Sequence, residues 1–326
     1  MITLYILVGL AVIFDFLNGF HDSSNIVATI IFSRAMSPRI ALYLTAVAEF
    51  IGPFLFGVAV AKTIGEDIVS PGTIDMIVLV SALTTAILWN LFTWYFGIPS
   101  SSSHALIGGI IGAVIAEAGI QAIQYGGLLK VIIALFLSPV LGLVVGFLFT
   151  RLVFFLTKNS SMKINKFFKN SQVITGVGLA LSHGTNDAQK TMGVITLGLV
   201  ISGTIADFTV PIWVIAISAL AISLGTAVGG WRLIRTLGGR FYKIKPVHGF
   251  SAQISSAAII LGAAFLGGPV STTQVVSSSI LGVGSAQRVN MVRWAVAGNI
   301  LVAWVLTIPL TIIFSWAFYY LLSTLI

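Results

Sequence analysis

The stretch Asn18-Gly19-Phe20-His21-Asp22-Ser23-Ser24-Asn25 gathers groups that hold ions: a carboxylate, an imidazole, two amides and two hydroxyls beside a glycine. It sits in the middle of an apolar run from Ile2 to Phe32. A helix of that length measures roughly 45 Å, against about 30 Å for the hydrocarbon of a bilayer. A charged side chain at bilayer mid-depth costs about 2.5–3.5 kcal/mol on insertion scales, and is kept where it lines a cavity or binds something. The same anomaly recurs at Ser182-His183-Gly184-Thr185-Asn186-Asp187-Ala188-Gln189-Lys190, inside the apolar run from Val173 to Ser202. Gly19 corresponds to Gly184, Asp22 to Asp187 and His21 to Asn186. The spacing predicts two copies of one unit, each with its first helix interrupted at this signature.

A second pair of motifs adds donors. Ser101, Ser102 and Ser103 follow Pro99, and Ser271, Thr272 and Thr273 follow Pro269; each set opens a short apolar segment. These are helix N-cap residue types, and a helix N-terminus leaves backbone N–H groups without partners. An anion satisfies them with help from the helix dipole. Two such ends converging at the centre offer many donors to a tetrahedral oxyanion. The bland alternative is that the hydroxyls only cap their own helices. Asp22 and Asp187 oppose an anion, since two unit charges 4 Å apart repel by about 4 kcal/mol at an effective dielectric of 20. Lys190 offsets one charge, and bound cations must supply the rest. Asn18, His21, Asn186 and the aspartates form a ligand set suited to Na+, with H+ on Asp22 and Asp187 as the alternative. The electrostatics thus predict that an anion and a cation bind together.

Lesser candidates have bland readings beside them. Glu49 is either a cation ligand or proton carrier, or a headgroup or interhelical contact. Asp15 supports Asn18, Asn90 makes an interhelical hydrogen bond, and His248 is interfacial. Trp231, Tyr242, Trp316, Tyr319 and Tyr320 read as interface anchors. A serine hydrolase at Ser103-His104 lacks a nucleophile elbow, and dispersed histidines argue against zinc.

The elements that must position these residues follow from composition. Of 326 residues, 57% are hydrophobic and only 8% charged, where soluble domains carry about 25% charged. The expected class is an all-α polytopic membrane protein. With no cysteine there is no disulfide framework or thiolate chemistry. The net charge of +8 reads as basic cytoplasmic loops, with no nucleic-acid partner. Segments are expected near 2–32, 40–61, 76–98, 103–118 and 128–156, then near 172–202, 209–228, 248–268, 272–283 and 291–322. The fourth of each half is too short to span and suits a half-helix or re-entrant element. Five crossings per half require the second copy to run inverted. Gly52, Gly57, Lys62 and Gly65 match Gly225, Gly230, Arg235 and Gly238 at equal spacing, and Pro139 matches Pro309. Two inverted-topology repeats of about five segments, with broken helices, are a transporter pattern whose site lies at mid-membrane. The expected divisions are residues 1–157, a cytoplasmic linker 158–170, and 171–326. With both termini outside, 14 of the 17 basic residues fall on the cytoplasmic side, as the positive-inside rule requires.

At Gly19-Phe20-His21-Asp22 and Gly184-Thr185-Asn186-Asp187 the chain resembles the inorganic phosphate transporter (PiT) family, which carries a duplicated Gly-Ala-Asn-Asp-like signature in inverted repeats. Phe20-His21 stands for Ala-Asn in the first copy, and Thr185 for Ala in the second. The large hydrophilic central domain of animal members is absent. The resemblance implies inorganic phosphate as substrate, Na+ or H+ as coupling ion, no resident cofactor, no enzymatic activity, a homodimer, and a place in the plasma membrane. It adds Asn25 to the phosphate-binding set of Asp22, Asp187, Lys190 and the two hydroxyl clusters. Alternatives are an H+-coupled metal–phosphate or sulfate permease, and a passive anion channel.

Overall fold

The computed structural model describes residues 2–69 and 71–324. Among these residues the fold is helical throughout, with one isolated antiparallel bridge between Val69 and Ile123. The helices are α1 (Ile2–Phe32), α2 (Pro38–Leu55), α3 (Ala59–Lys62), α4 (Met76–Phe96), α5 (Ser102–Ala118), α6 (Tyr125–Thr157), α7 (Ile164–Ile201), α8 (Ile212–Val228), α9 (Trp231–Gly239), α10 (Pro246–Phe265), α11 (Thr272–Gln287) and α12 (Trp294–Ser323). Six of them are each long and apolar enough to cross a membrane, and α8 with α9, bent by 70°, makes a seventh. The outer face of α6 leaves Leu129, Ile133, Phe136, Val140, Leu148 and Phe155 exposed. Such a row is stable against lipid and unstable against water.

The two halves interlock. Helix α1 packs on α8 as α7 packs on α2, and α5 packs on α12 as α11 packs on α6. Helices α1 and α7 run antiparallel. Asp15 meets Thr191, Asp22 meets His183, and Ser33 meets Gln172. Equivalent helices in opposite directions are what inverted repeats require. The short helices show the same inversion. Both start at the centre, where Ser103 Oγ donates to the Val270 carbonyl at 3.0 Å. Helix α5 then ends where the Ala116 carbonyl accepts from Tyr320 at 3.3 Å, beside Asp75 and Glu117. Helix α11 ends at the opposite pole, where Gln287 meets His248 at 2.7 Å.

Three expectations need correction. The signature helices are not interrupted: α1 and α7 run unbroken through Gly19 and Gly184. Those glycines serve close approach instead. A Cβ on Gly19 would strike the Ile222 carbonyl of α8, and one on Gly184 the Glu49 carbonyl of α2. Small residues that admit a neighbouring backbone are how membrane helices gain packing energy. The breaks fall in the second span of each half, between α2 and α3 and between α8 and α9, and Gly57 and Gly229 each sit there at φ 78°. That left-handed conformation favours glycine because it carries no Cβ. Finally, the polar connection is shorter than 158–170. Helix α7 begins at Ile164, and Phe168 is buried with Val153 and Val247. Its apolar face outweighs the four lysines around it.

Candidate functional site

Unbroken helices bring the two signatures together because four-residue spacing keeps side chains on one face. Residues 21–30 of α1 are buried, as are residues 182–199 of α7. Thr272, first in α11, is the hinge of the site. Its Oγ1 lies 2.8 Å from Asp187 Oδ2 and 3.2 Å from Asp22 Oδ2. Thr273 Oγ1 donates to Asp22 Oδ1 at 2.8 Å and accepts from Asn25 Nδ2 at 3.0 Å. Lys190 Nζ donates to Asp187 Oδ1, to Ser103 Oγ at 2.6 Å and to the Val270 carbonyl at 2.9 Å. Ser102 Oγ donates to Asn18 Oδ1 at 2.7 Å. His21 Nδ1 is 3.0 Å from Asp22 Oδ1, and Asn186 Nδ2 donates to the Gly268 carbonyl at 3.1 Å. Each of these side chains belongs to a residue at most 2% exposed.

Two expected members stand apart. Ser101 Oγ accepts from the His104 N–H at 3.1 Å, and Ser271 Oγ from the Gln274 N–H at 3.4 Å. Both cap their own helices, as the bland reading had it.

The decisive group absent from the expected set is His183. Its Nε2 lies 3.1 Å from Asp187 Oδ2 and 3.6 Å from Asp22 Oδ2, and its Nδ1 lies 2.6 Å from Glu49 Oε1. The signal was its spacing, four residues before Asp187 on the same helical face. Asp22, His183 and Asp187 present ligand atoms within 4.8 Å of one another. Glu49 is fully buried, which removes its headgroup reading. Asp15 accepts from Thr191 at 2.6 Å, not from Asn18. Tyr242 is buried and donates to the Ile280 carbonyl at 2.9 Å, so it is no interface anchor. His248 is buried too and bonds Gln287 at 2.7 Å.

The polar inventory is unbalanced in an informative way. Three carboxylates, Asp22, Glu49 and Asp187, share the region with Lys190, the only buried lysine or arginine among the described residues. Asn25 Oδ1 and Asn186 Oδ1 are buried acceptors without a hydrogen-bond partner, while Asn18 Nδ2 and His21 Nε2 are buried without one on the donor-capable side. Unpartnered buried polar atoms cost about 1–3 kcal/mol each, so a native protein keeps them for something they bind. Free oxygens suit a cation. Free N–H groups, the hydroxyls and two converging helix N-termini suit an oxyanion.

Known proteins resemble the chain over almost its whole length. The model of a family described as the phosphate transporter family matches residues 18–315. A probable low-affinity inorganic phosphate transporter of Bacillus subtilis (strain 168) is 46% identical over 327 residues, covering 99% of this chain and 98% of its own. A protein of the same description from Rhizobium meliloti (strain 1021) is 43% identical, covering 95% and 93%. A solved structure, of the sodium-dependent phosphate transporter, aligns with a TM-score of 0.90 and 26% identity over 100% of both chains.

Proposed function

The chain belongs to the phosphate transporter family, and from that footing we propose that it imports phosphate with Na+ as a secondary active symporter working by alternating access. It is an integral membrane transporter and not an enzyme. One observation carries the coupled reading: Thr272 Oγ1 is within hydrogen-bonding distance of both Asp22 and Asp187. Two buried carboxylates that close exclude an anion unless cations neutralise them. Binding energy for phosphate is therefore conditional on the cation, which is the definition of coupling. The structural neighbour's dependence on sodium favours Na+ over H+.

In this reading the N-terminal turns of α5 and α11, with Ser102, Ser103, Thr272 and Thr273, hold the phosphate oxygens. Lys190 offsets charge, and Asn18, His21, Asn186 and the aspartates hold the cation side, joined by Asn25, which was expected on the phosphate side but presents a free acceptor oxygen. The rocking of one bundle of helices against another gates access to the site. The protein is a homodimer of the plasma membrane with both termini outside. Radiolabelled phosphate uptake into proteoliposomes, with Na+ and pH gradients imposed separately, tests it. Uphill accumulation driven by Na+ alone is expected. Accumulation driven by the pH gradient without Na+ would assign the coupling to H+, and purely downhill flux would make the protein a channel.

A further inference from the structure

The two signatures differ in the side chain three residues past the aspartate, and the internal symmetry shows what the difference does. Asn25 stands three residues after Asp22, where Lys190 stands three residues after Asp187. In the second half, Lys190 Nζ is held by Asp187 Oδ1, Ser103 Oγ at 2.6 Å and the Val270 carbonyl at 2.9 Å. A carboxylate, a hydroxyl and a backbone carbonyl freed at a helix end are the hard oxygens an alkali cation takes. The repeat maps Asp187 onto Asp22, Ser103 onto Thr273 and Val270 onto Ser100. On that side Thr273 Oγ1 is 2.8 Å from Asp22 Oδ1 and 3.0 Å from Asn25 Nδ2. Asn25 is neutral, and its buried Oδ1 has no hydrogen-bond partner. One cage contains its own positive charge; its twin contains an acceptor oxygen waiting for one.

We propose that the Lys190 ammonium permanently fills one of two pseudo-symmetric cation cages, leaving a single alkali-cation site formed by Asp22, Asn25 and Thr273, so that each phosphate travels with one Na+ fewer than two filled cages would carry. This rests on the sodium-coupled reading above. A tethered ammonium supplies its charge without being transported, so it lowers the ion cost per phosphate. It also lowers the concentrating power, because each co-transported ion adds its own gradient.

Phosphate binding to the purified protein, measured in NaCl with choline chloride holding ionic strength constant, counts the ions. Below saturating Na+, the wild-type phosphate Kd falls about tenfold for each tenfold rise in Na+, the dependence of a single linked ion. Lys190→Asn restores the second cage, and its Kd falls about a hundredfold over the same range. Asn25→Lys fills both cages, and its Kd is independent of Na+. A wild-type response of about a hundredfold overturns the proposal and leaves sodium coupling standing, and needs no variant to fold. An unchanged tenfold response in a folded Lys190→Asn protein overturns it as well. A wild type insensitive to Na+, with His21 or His183 supplying the charge beside Asp22, overturns the sodium-coupled reading and this proposal together.

Discussion

His183 Nδ1 lies 2.6 Å from Glu49 Oε1, and neither side chain has any exposed surface. The contact joins α7 to the second span of the opposite half. On its other edge the same imidazole faces Asp187 and Asp22. Glu49 therefore acts on the site through His183, by fixing where the ring sits. Glu49→Ala leaves that ring edge facing an uncompensated cavity. Removing one partner of a buried charged pair costs roughly 3–5 kcal/mol. A large fall in melting temperature in detergent is expected. Glu49→Gln, which keeps an oxygen beside the ring but not the charge, should recover part of the stability while phosphate uptake stays roughly tenfold down, because the ring loses its charged partner. An unchanged melting temperature in Glu49→Ala would show the contact carries no load.

The signature aspartates separate by their partners. Asp22→Asn keeps a side-chain oxygen for Thr273, and Thr272 retains Asp187, but the charge that attracts the cation is lost. Asp187→Asn also strips Lys190 of its carboxylate, leaving a buried ammonium among neutral oxygens. Both substitutions should abolish radiolabelled phosphate uptake. Only Asp187→Asn should also lower thermal stability strongly, by several kcal/mol. Equal stability losses in the two variants would mean that Lys190 draws little from Asp187.

Gly19 and Gly184 were legible as special, but for a different reason than the one they have. A glycine beside a buried aspartate reads equally as a helix break or as a close contact, and only the neighbour decides. Here the neighbours are the Ile222 and Glu49 carbonyls. Gly19→Ala and Gly184→Ala should each destabilise the protein by about 1–3 kcal/mol, the cost of overpacking. Gly9→Ala and Gly178→Ala, where no atom lies within 4 Å, should be neutral or stabilise by up to about 1 kcal/mol through helix propensity. Melting curves of the four variants check both arms.

This pattern describes the limits of the sequence generally. Segment number, inversion and the hydroxyl clusters are visible because each leaves a one-dimensional trace: an apolar run, a repeated spacing, a proline followed by N-cap residues. The contact between His183 and Glu49 leaves none, since residues on different helices meet only by packing. Ser101 and Ser102 are chemically identical in sequence, yet one caps α5 and the other reaches Asn18. Rotation about a helix axis separates them, and α5 is seated by its own Gly108 and Gly112 against the backbone of α12.

Gln189 was unremarkable in sequence and is well connected in space. Its Oε1 accepts from the Val60 N–H at 2.8 Å and the Ala61 N–H at 3.3 Å, and its Nε2 donates to the Gly57 carbonyl at 2.8 Å. It staples the break between α2 and α3. Across the pseudo-symmetry, Ser23 Oγ accepts from the Gly230 N–H at 2.8 Å, at the break between α8 and α9. Each break is thus tied to the helix carrying a signature aspartate of the other half. Gln189→Ala frees three backbone groups at about 1–3 kcal/mol each. The variant should bind phosphate near normally and transport it slowly, because the loss falls on a contact between the two halves and not on the ion-holding side chains. Equal losses in binding and in rate would place Gln189 in the site's own structure instead.

The proposed orientation rests on the two poles of the bundle. At one end Arg34, Lys243 and Lys245 line one cavity and Arg232 stacks on Trp94. At the other, Asp67 pairs with Lys130 at 3.5 Å and the Asp75 N–H donates to Glu117 at 3.3 Å. Basic residues are retained on the cytoplasmic side of a membrane, so the proposed orientation puts the first pole inward and both termini outside. The chain has no cysteine, so a single introduced one reports its own position. Ser161, between α6 and α7, and Ala206, between α7 and α8, are both exposed. In intact cells a membrane-impermeant maleimide should label Ala206→Cys at once and Ser161→Cys only after permeabilisation. The reverse pattern would invert the protein, put 14 basic residues outside, and leave its charge distribution without a cause.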